Sequence, residues 1–284
     1  MPTIATPDGL KLYYEETGAG TPVVFVHEYA GDYRSWEHQM RHFARSHRCI
    51  TYSQRGYLPS DVPSDGSLYS QDHFRDDVIA LMDALKIEKA HVVGHSMGAY
   101  TALHVGIHYP KRCLSVAALG CGWGSKPDPS ERAAMKAKAQ EYGQWFAEEG
   151  KAAAAKYADA PMRQAHKHKD PRGWAEFARI LGEHDPQGKA LTMFNLQMTR
   201  PTVYDMEKGL REFAPPLLII VGDEDEPCVE GSFLIKQMAP TAALMVIPRA
   251  GHTIQIEEPA AVNAGLADLF AAAKAGRWLA HKGK

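Results

Sequence analysis

Ala90-His91-Val92-Val93-Gly94-His95-Ser96-Met97-Gly98 decides the fold. Ala90 to Gly94 is a short apolar run of the kind buried on both faces of a parallel sheet. It passes without a linker into His95-Ser96-Met97-Gly98. Small and apolar residues then recur at helical spacing to His108, and Pro110 stops them. Gly94-His95-Ser96-Met97-Gly98 therefore fits G-x-S-x-G at a strand-to-helix turn. A serine on such a turn adopts strained backbone angles, and the flanking glycines let neighbouring backbone approach it. The first N–H groups of the following helix point at the serine, where negative charge develops in acyl transfer. A glycine-rich turn that merely packs helix on strand is the bland alternative.

Outward from this turn, strands and helices alternate. Strands are predicted at 10–17, 22–27, 48–53, 112–120, 216–221 and 243–247. Helices are predicted at 35–46, 70–86, 231–239 and 259–275, with a loop over 54–66. This pattern predicts an α/β fold whose mostly parallel central sheet is flanked by helices. It breaks at Cys121-Gly122-Trp123-Gly124. Residues 122–212 carry no convincing strand, and Ala, Lys, Glu, Gln and Met dominate. They read as a helical cap inserted into a core of 1–121 and 213–284. Arg277 to Lys284 reads as a frayed basic tail.

Composition bounds the function. The 284 residues carry 32 basic and 34 acidic side chains, a formal charge of −2, which speaks against a nucleic-acid partner. At 45% hydrophobic and 23% charged, the chain has enough apolar material for a packed core. No apolar run approaches the roughly 18 residues of a membrane helix, so no membrane partner is expected. No signal peptide is visible, and the location expected is cytoplasmic. Cys49, Cys113, Cys121 and Cys228 are scattered without a CxxC pair and read as free thiols. His166-Lys167-His168-Lys169 reads as a solvated surface run, so no metal is expected. No glycine-rich phosphate loop occurs, and no cofactor is expected.

On Gly94 to Gly98 the chain resembles the α/β-hydrolase superfamily, over nearly all of its length. That family orders its triad as nucleophile, acid, histidine. The resemblance makes Ser96 the nucleophile. It puts the acid in Gly222-Asp223-Glu224-Asp225, with Asp225 the best match and Asp223 and Glu224 as runners-up. His252 lies in the expected Gly251-His252 loop. It also implies an oxyanion hole from the N–H groups of Met97 and Tyr29. Chemistry gives the roles: histidine takes the serine proton and returns it, and the carboxylate holds the ring.

One loop departs from the family. His27-Glu28-Tyr29 stands where the usual run is His-Gly-x. Two like charges at about 5 Å and a dielectric near 20 repel by roughly 3 kcal/mol, so Glu28 needs a purpose. It must point away, pair with a cation such as Arg34 or Arg55, hold a proton, or serve the chemistry, and Glu28 and Trp123 are the candidate substrate contacts. Dienelactone hydrolases carry a Glu at this point, but with a cysteine nucleophile. Trp145, Trp174, Phe194 and Met198 are further pocket candidates. The reading is a serine hydrolase cleaving a small carboxylic ester or lactone through an acyl-enzyme. Its partner is a small-molecule substrate, and a homodimer stays open. The alternatives are a carbon–carbon bond hydrolase and a slow-turnover small-ligand receptor. Epoxide hydrolases use an aspartate nucleophile, which Ser96 is not.

Overall fold

The computed structural model describes residues 1–280. Eight strands form one sheet: β1 (Thr3–Ala5), β2 (Lys11–Thr17), β3 (Thr21–Val26), β4 (His47–Tyr52), β5 (Ala90–His95), β6 (Cys113–Leu119), β7 (Leu217–Gly222) and β8 (Ala242–Ile247). Their order is β1-β2-β4-β3-β5-β6-β7-β8. The pairs β1–β2 and β2–β4 are antiparallel, and every other pair is parallel. Only β1 was not expected, because three residues are too short to show a period.

Successive side chains of a strand point to opposite faces, and both faces here are covered. Val24, Val26, Val92, Val116, Ala118 and Ile219 pack into one core. It is closed by α2 (Gln71–Ala84), α3 (Met97–His108) and α10 (Glu226–Met238). Val23, Phe25, Val93, Ala117, Leu119, Leu218 and Ile220 pack into the other. That face is closed by α1 (Glu37–Phe43) and α11 (Pro259–Lys274). This two-sided burial is why β3, β5 and β7 read as continuous apolar runs.

Two helices differ from expectation. The helix expected over 35–46 divides into a 3-10 turn, Tyr33–Trp36, capped by Asp32, and then α1. The helix expected at 231 starts at Glu226, with Pro227 in its first turn, where a missing N–H costs nothing. The tail is not wholly frayed: the Trp278 indole N–H donates to the Thr241 carbonyl at 2.7 Å. The rest of that tail, 281–284, lies outside the described residues.

Between β6 and β7 the described chain is helical: α4 (Pro129–Glu149), α5 (Ala153–Ala158), α6 (Gln164–Lys169), α7 (Pro171–Glu183), α8 (Pro186–Leu191) and α9 (Glu207–Arg211), with a π-helical segment at Thr192–Gln197. A third apolar cluster joins these helices to the loops below. Ala139, Phe146, Tyr157, Phe177 and Leu196 meet Tyr29, Tyr57, Tyr69 and Met97. The roof therefore sits over the carboxyl ends of the parallel strands, the edge at which open α/β sheets form ligand crevices. No helix among the described residues is long and apolar enough to cross a membrane.

Candidate active site

Four strand ends converge beneath the helical roof. Ser96, after β5, has φ +53° and ψ −110°, strained angles for a residue with a side chain. Its N–H donates to the Leu119 carbonyl at 2.7 Å, which ties the turn to β6. The glycines answer close contacts. A Cβ on Gly94 would lie 2.0 Å from the Gly98 carbonyl oxygen, and one on Gly98 would lie 2.1 Å from that of Val26. The start of α3 is thus pressed against the end of β3.

His252, after β8, places Nε2 2.9 Å from Ser96 Oγ. Its Nδ1 lies 2.8 Å from Asp225 Oδ2, at the start of α10. Asp225 and His252 are both buried, whereas Ser96 is partly open. A neutral ring in this pose donates Nδ1–H to Asp225 and accepts the serine proton at Nε2. Asp223 and Glu224 are exposed, and Asp223 instead accepts from the Ala250 N–H at 3.2 Å. Cys228 Sγ lies 3.9 Å from His252 Nδ1. Asp225, Cys228 and His252 offer ligand atoms within 4.8 Å of one another. A cation held there would take the ring nitrogen that Asp225 occupies, so the set suits proton transfer and metal binding would compete with it.

The loop after β3 is pinned on every side. His27 donates from Nδ1 to the Glu28 carbonyl at 2.7 Å and accepts at Nε2 from the Gln54 N–H at 3.0 Å. Burial holds the His27 ring down at about 4, hence neutral. The buried Lys189 of α8 donates to the Tyr29 carbonyl and lies 3.3 Å from the centre of the Tyr29 ring. Burial pushes this lysine far below its ordinary value. In return, the Tyr29 hydroxyl donates to the Lys189 carbonyl at 3.1 Å. The Tyr29 and Met97 N–H groups have no acceptor among the described residues.

Glu28 pairs with neither Arg34 nor Arg55. Arg34 is engaged by Asp32 and Glu183, and Arg55 by Asp77 and Asp8. Its partner is Arg163, in the turn before α6, at 2.6 Å and 3.1 Å. Both side chains of the pair are only 1% exposed. Burial would raise the Glu28 value, but Arg163 and then His95 and His252 overcome it and hold the carboxyl well below its usual range. The bidentate lock commits the Glu28 carboxylate to Arg163, and Glu28 is not among the residues that line the cavity in front of Ser96. Its Oε2 nevertheless lies 3.9 Å from His252 Nε2. Its other oxygen lies 3.9 Å from Nδ1 of His95. His95 also ties down the histidine loop, because its Nε2 donates to the His252 carbonyl at 2.6 Å.

The same turn touches the histidine loop directly. The His252 N–H donates to the Met162 carbonyl at 2.9 Å. His166, expected in solvent, is buried, with Nδ1 3.1 Å from the Thr253 hydroxyl. His168 and Lys169 of that run are exposed.

A cavity of about 30 Å³ lies before Ser96, room for one or two waters. Tyr29, Trp123, Tyr142, Tyr157, Met193 and Arg200 line it with Ser96 and His252. Of the aromatic and Met residues singled out, Trp123 lines it and Trp145, Trp174, Phe194 and Met198 do not. Which face of a cap helix turns inward was not readable. Arg163, Lys189 and Arg200 were missed for the same reason: nothing in local spacing distinguishes an inward cation from a surface one.

This sheet, with a serine elbow and an acid–histidine pair at its carboxyl edge, defines an α/β hydrolase. The family model described as alpha/beta hydrolase fold matches residues 21–259, and the chain belongs to that family of hydrolytic enzymes. A 3-oxoadipate enol-lactonase of Acinetobacter baylyi is 27% identical over 248 residues, 84% of each chain. An epoxide hydrolase of Caballeronia sordidicola is 38% identical over 128 residues. That match spans 45% of this chain and 39% of the relative. The solved structure of Est816, an N-acyl homoserine lactone degrading enzyme, superposes with a TM-score of 0.78 at 27% identity. It covers 94% of this chain and 99% of the other.

Proposed function

We propose that the protein is a serine hydrolase that cleaves a small carboxylic ester or lactone through an acyl-enzyme. The observation that carries this reading is the unbroken relay from Ser96 Oγ through His252 to Asp225, at 2.9 Å and 2.8 Å. His252 Nε2 takes the serine proton as Oγ attacks the acyl carbon, and the imidazolium then protonates the leaving oxygen. In the second half, water gives its proton to the same nitrogen and attacks the acyl-enzyme. Asp225 fixes the ring tautomer and stabilises the imidazolium. The free N–H groups of Tyr29 and Met97 stabilise the tetrahedral oxyanion. The enol-lactonase and lactone-degrading relatives favour an ester or lactone. The epoxide hydrolase activity is not carried over, because the elbow side chain is a serine.

A fluorophosphonate should label one serine, Ser96, and Ser96→Ala should abolish labelling. Ester hydrolysis by that variant should fall by about three to six decades. Near wild-type hydrolysis by Ser96→Ala would refute the mechanism.

A further inference from the structure

Arg200 presents an unanswered charge to the reacting centre. It lies just after the π-helical segment, is 8% exposed, and lines the same cavity as Ser96 and His252. Its Nη2 donates to the Trp123 carbonyl at 3.1 Å, and its Cζ stacks 3.7 Å from the centre of the Tyr100 ring. Its buried Nη1 has no hydrogen-bond partner. Among the described residues no carboxylate lies within ion-pair distance of it, and none lines the cavity. A guanidinium stays charged at any ordinary pH, so this site holds a buried cation with one arm unsatisfied.

Gln197, one turn earlier and also 8% exposed, lines the cavity beside it, and its Oε1 is buried without a partner. A side-chain amide can present either its donor or its acceptor end to a ligand. Trp123, Gln197 and Arg200 also line an adjoining cavity whose other walls include Arg132 and Lys136 and no carboxylate. A path lined by cations of one sign concentrates anions. Other ion pairs of the cap, such as Arg163–Glu28 and Lys126–Glu230, are internally neutral. Arg200 has no such counter-charge, and it lines the cavity in front of the nucleophile.

We propose that the substrate carries a carboxylate and that Arg200 anchors it through Nη1, so the physiological ester or lactone is the half-ester or lactone of a small dicarboxylic acid. This rests on the serine-hydrolase reading. A guanidinium and a carboxylate form a planar, charge-assisted pair, which an uncharged ester terminus cannot replace. The distance from the anchor to Ser96 sets which chain length is cleaved fastest.

The test compares p-nitrophenyl half-esters of succinate, glutarate and adipate with their methyl-capped, neutral counterparts. Wild type should favour the anionic member of a pair in kcat/KM. In Arg200→Gln the anionic-to-neutral ratio should fall at least about thirtyfold, and Arg200→Lys should recover part of it. Raising salt should lower the wild-type ratio and leave that of Arg200→Gln flat. Free glutarate and adipate should raise the thermal midpoint of wild type and not that of Arg200→Gln, a readout that needs no turnover. Failure of fluorophosphonate to label Ser96, with dicarboxylate binding retained, would overturn the hydrolase reading alone. An unchanged ratio in Arg200→Gln, whether both rates fall or neither does, would overturn the carboxylate anchor and leave Arg200 as a stacking partner of Tyr100.

Discussion

Removing either half of the Glu28–Arg163 pair should damage stability similarly and move the pH profile in opposite directions. At 2.6 Å and an effective dielectric of 20, the gross attraction is about 6 kcal/mol, against which both groups lose their hydration. Stripping one partner leaves the other buried and uncompensated, at a cost of about 3–5 kcal/mol. Glu28→Gln leaves the Arg163 charge; Arg163→Met leaves the carboxylate. The double variant has neither and should recover most of the loss, because an uncharged pair of similar volume avoids the desolvation of the ions. Urea unfolding of the four proteins measures this coupling. The carboxylate also acts on the active centre. At 3.9 Å from His252 Nε2 its gross attraction for an imidazolium is about 4 kcal/mol, which Arg163 largely offsets. Glu28→Gln leaves net positive charge beside the ring, disfavours the imidazolium, and should move the acidic limb of kcat/KM to lower pH by about one unit. Arg163→Met leaves net negative charge and should move it upward. If both limbs move the same way, or each single variant loses under about 1 kcal/mol, the pair neither supports the fold nor balances charge beside His252.

The remaining predictions address the elbow, the loop and acid stability. Gly98→Ala should sharply reduce both stability and kcat, since its Cβ would meet the Val26 carbonyl at 2.1 Å; a urea midpoint equal to wild type would contradict that packing. Ser96→Gly should raise the unfolding free energy by about 1 kcal/mol or more over Ser96→Ala by relieving the strain at φ +53°; equal midpoints would mean the turn is unstrained. Lys189→Met leaves the Tyr29 carbonyl without its buried donor, at a cost of about 1–3 kcal/mol, and should lower kcat more than it raises KM; a pure KM effect would place Lys189 in ground-state binding instead. His27, His95, His104, His166 and His184 are each held down at about 4 by burial, and His91 at about 3. Their unfolded values lie near 6.5, so the unfolded chain binds more protons and stability should drain away as pH falls from about 6.5 toward 4. Urea midpoints that stay level between pH 7 and pH 5 would contradict this.

The sequence by itself determined the sheet and the relay. Apolar runs such as Val23 to Val26 and Leu217 to Val221 are local signals, because a strand buried on both faces needs no partner to be recognised. Gly94 to Gly98 is likewise local: strain at Ser96 and two close backbone contacts leave few other residue types able to stand there. The Asp225 and His252 positions followed from the family's order of residues, and folding brings them within hydrogen-bond reach of one another and of Ser96. Tertiary structure alone decided which charges turn inward. Glu28 was visible as an anomaly, but its partner lies 135 residues away in a cap segment with no distinguishing spacing. Arg163, Lys189 and Arg200 share the cap with solvent-exposed cations such as Lys169, Arg172 and Arg179, and helical periodicity in short helices does not separate the two kinds. Their fate depends on how the roof packs over the sheet edge, and the energy of a buried charge is set by groups that only that packing brings near.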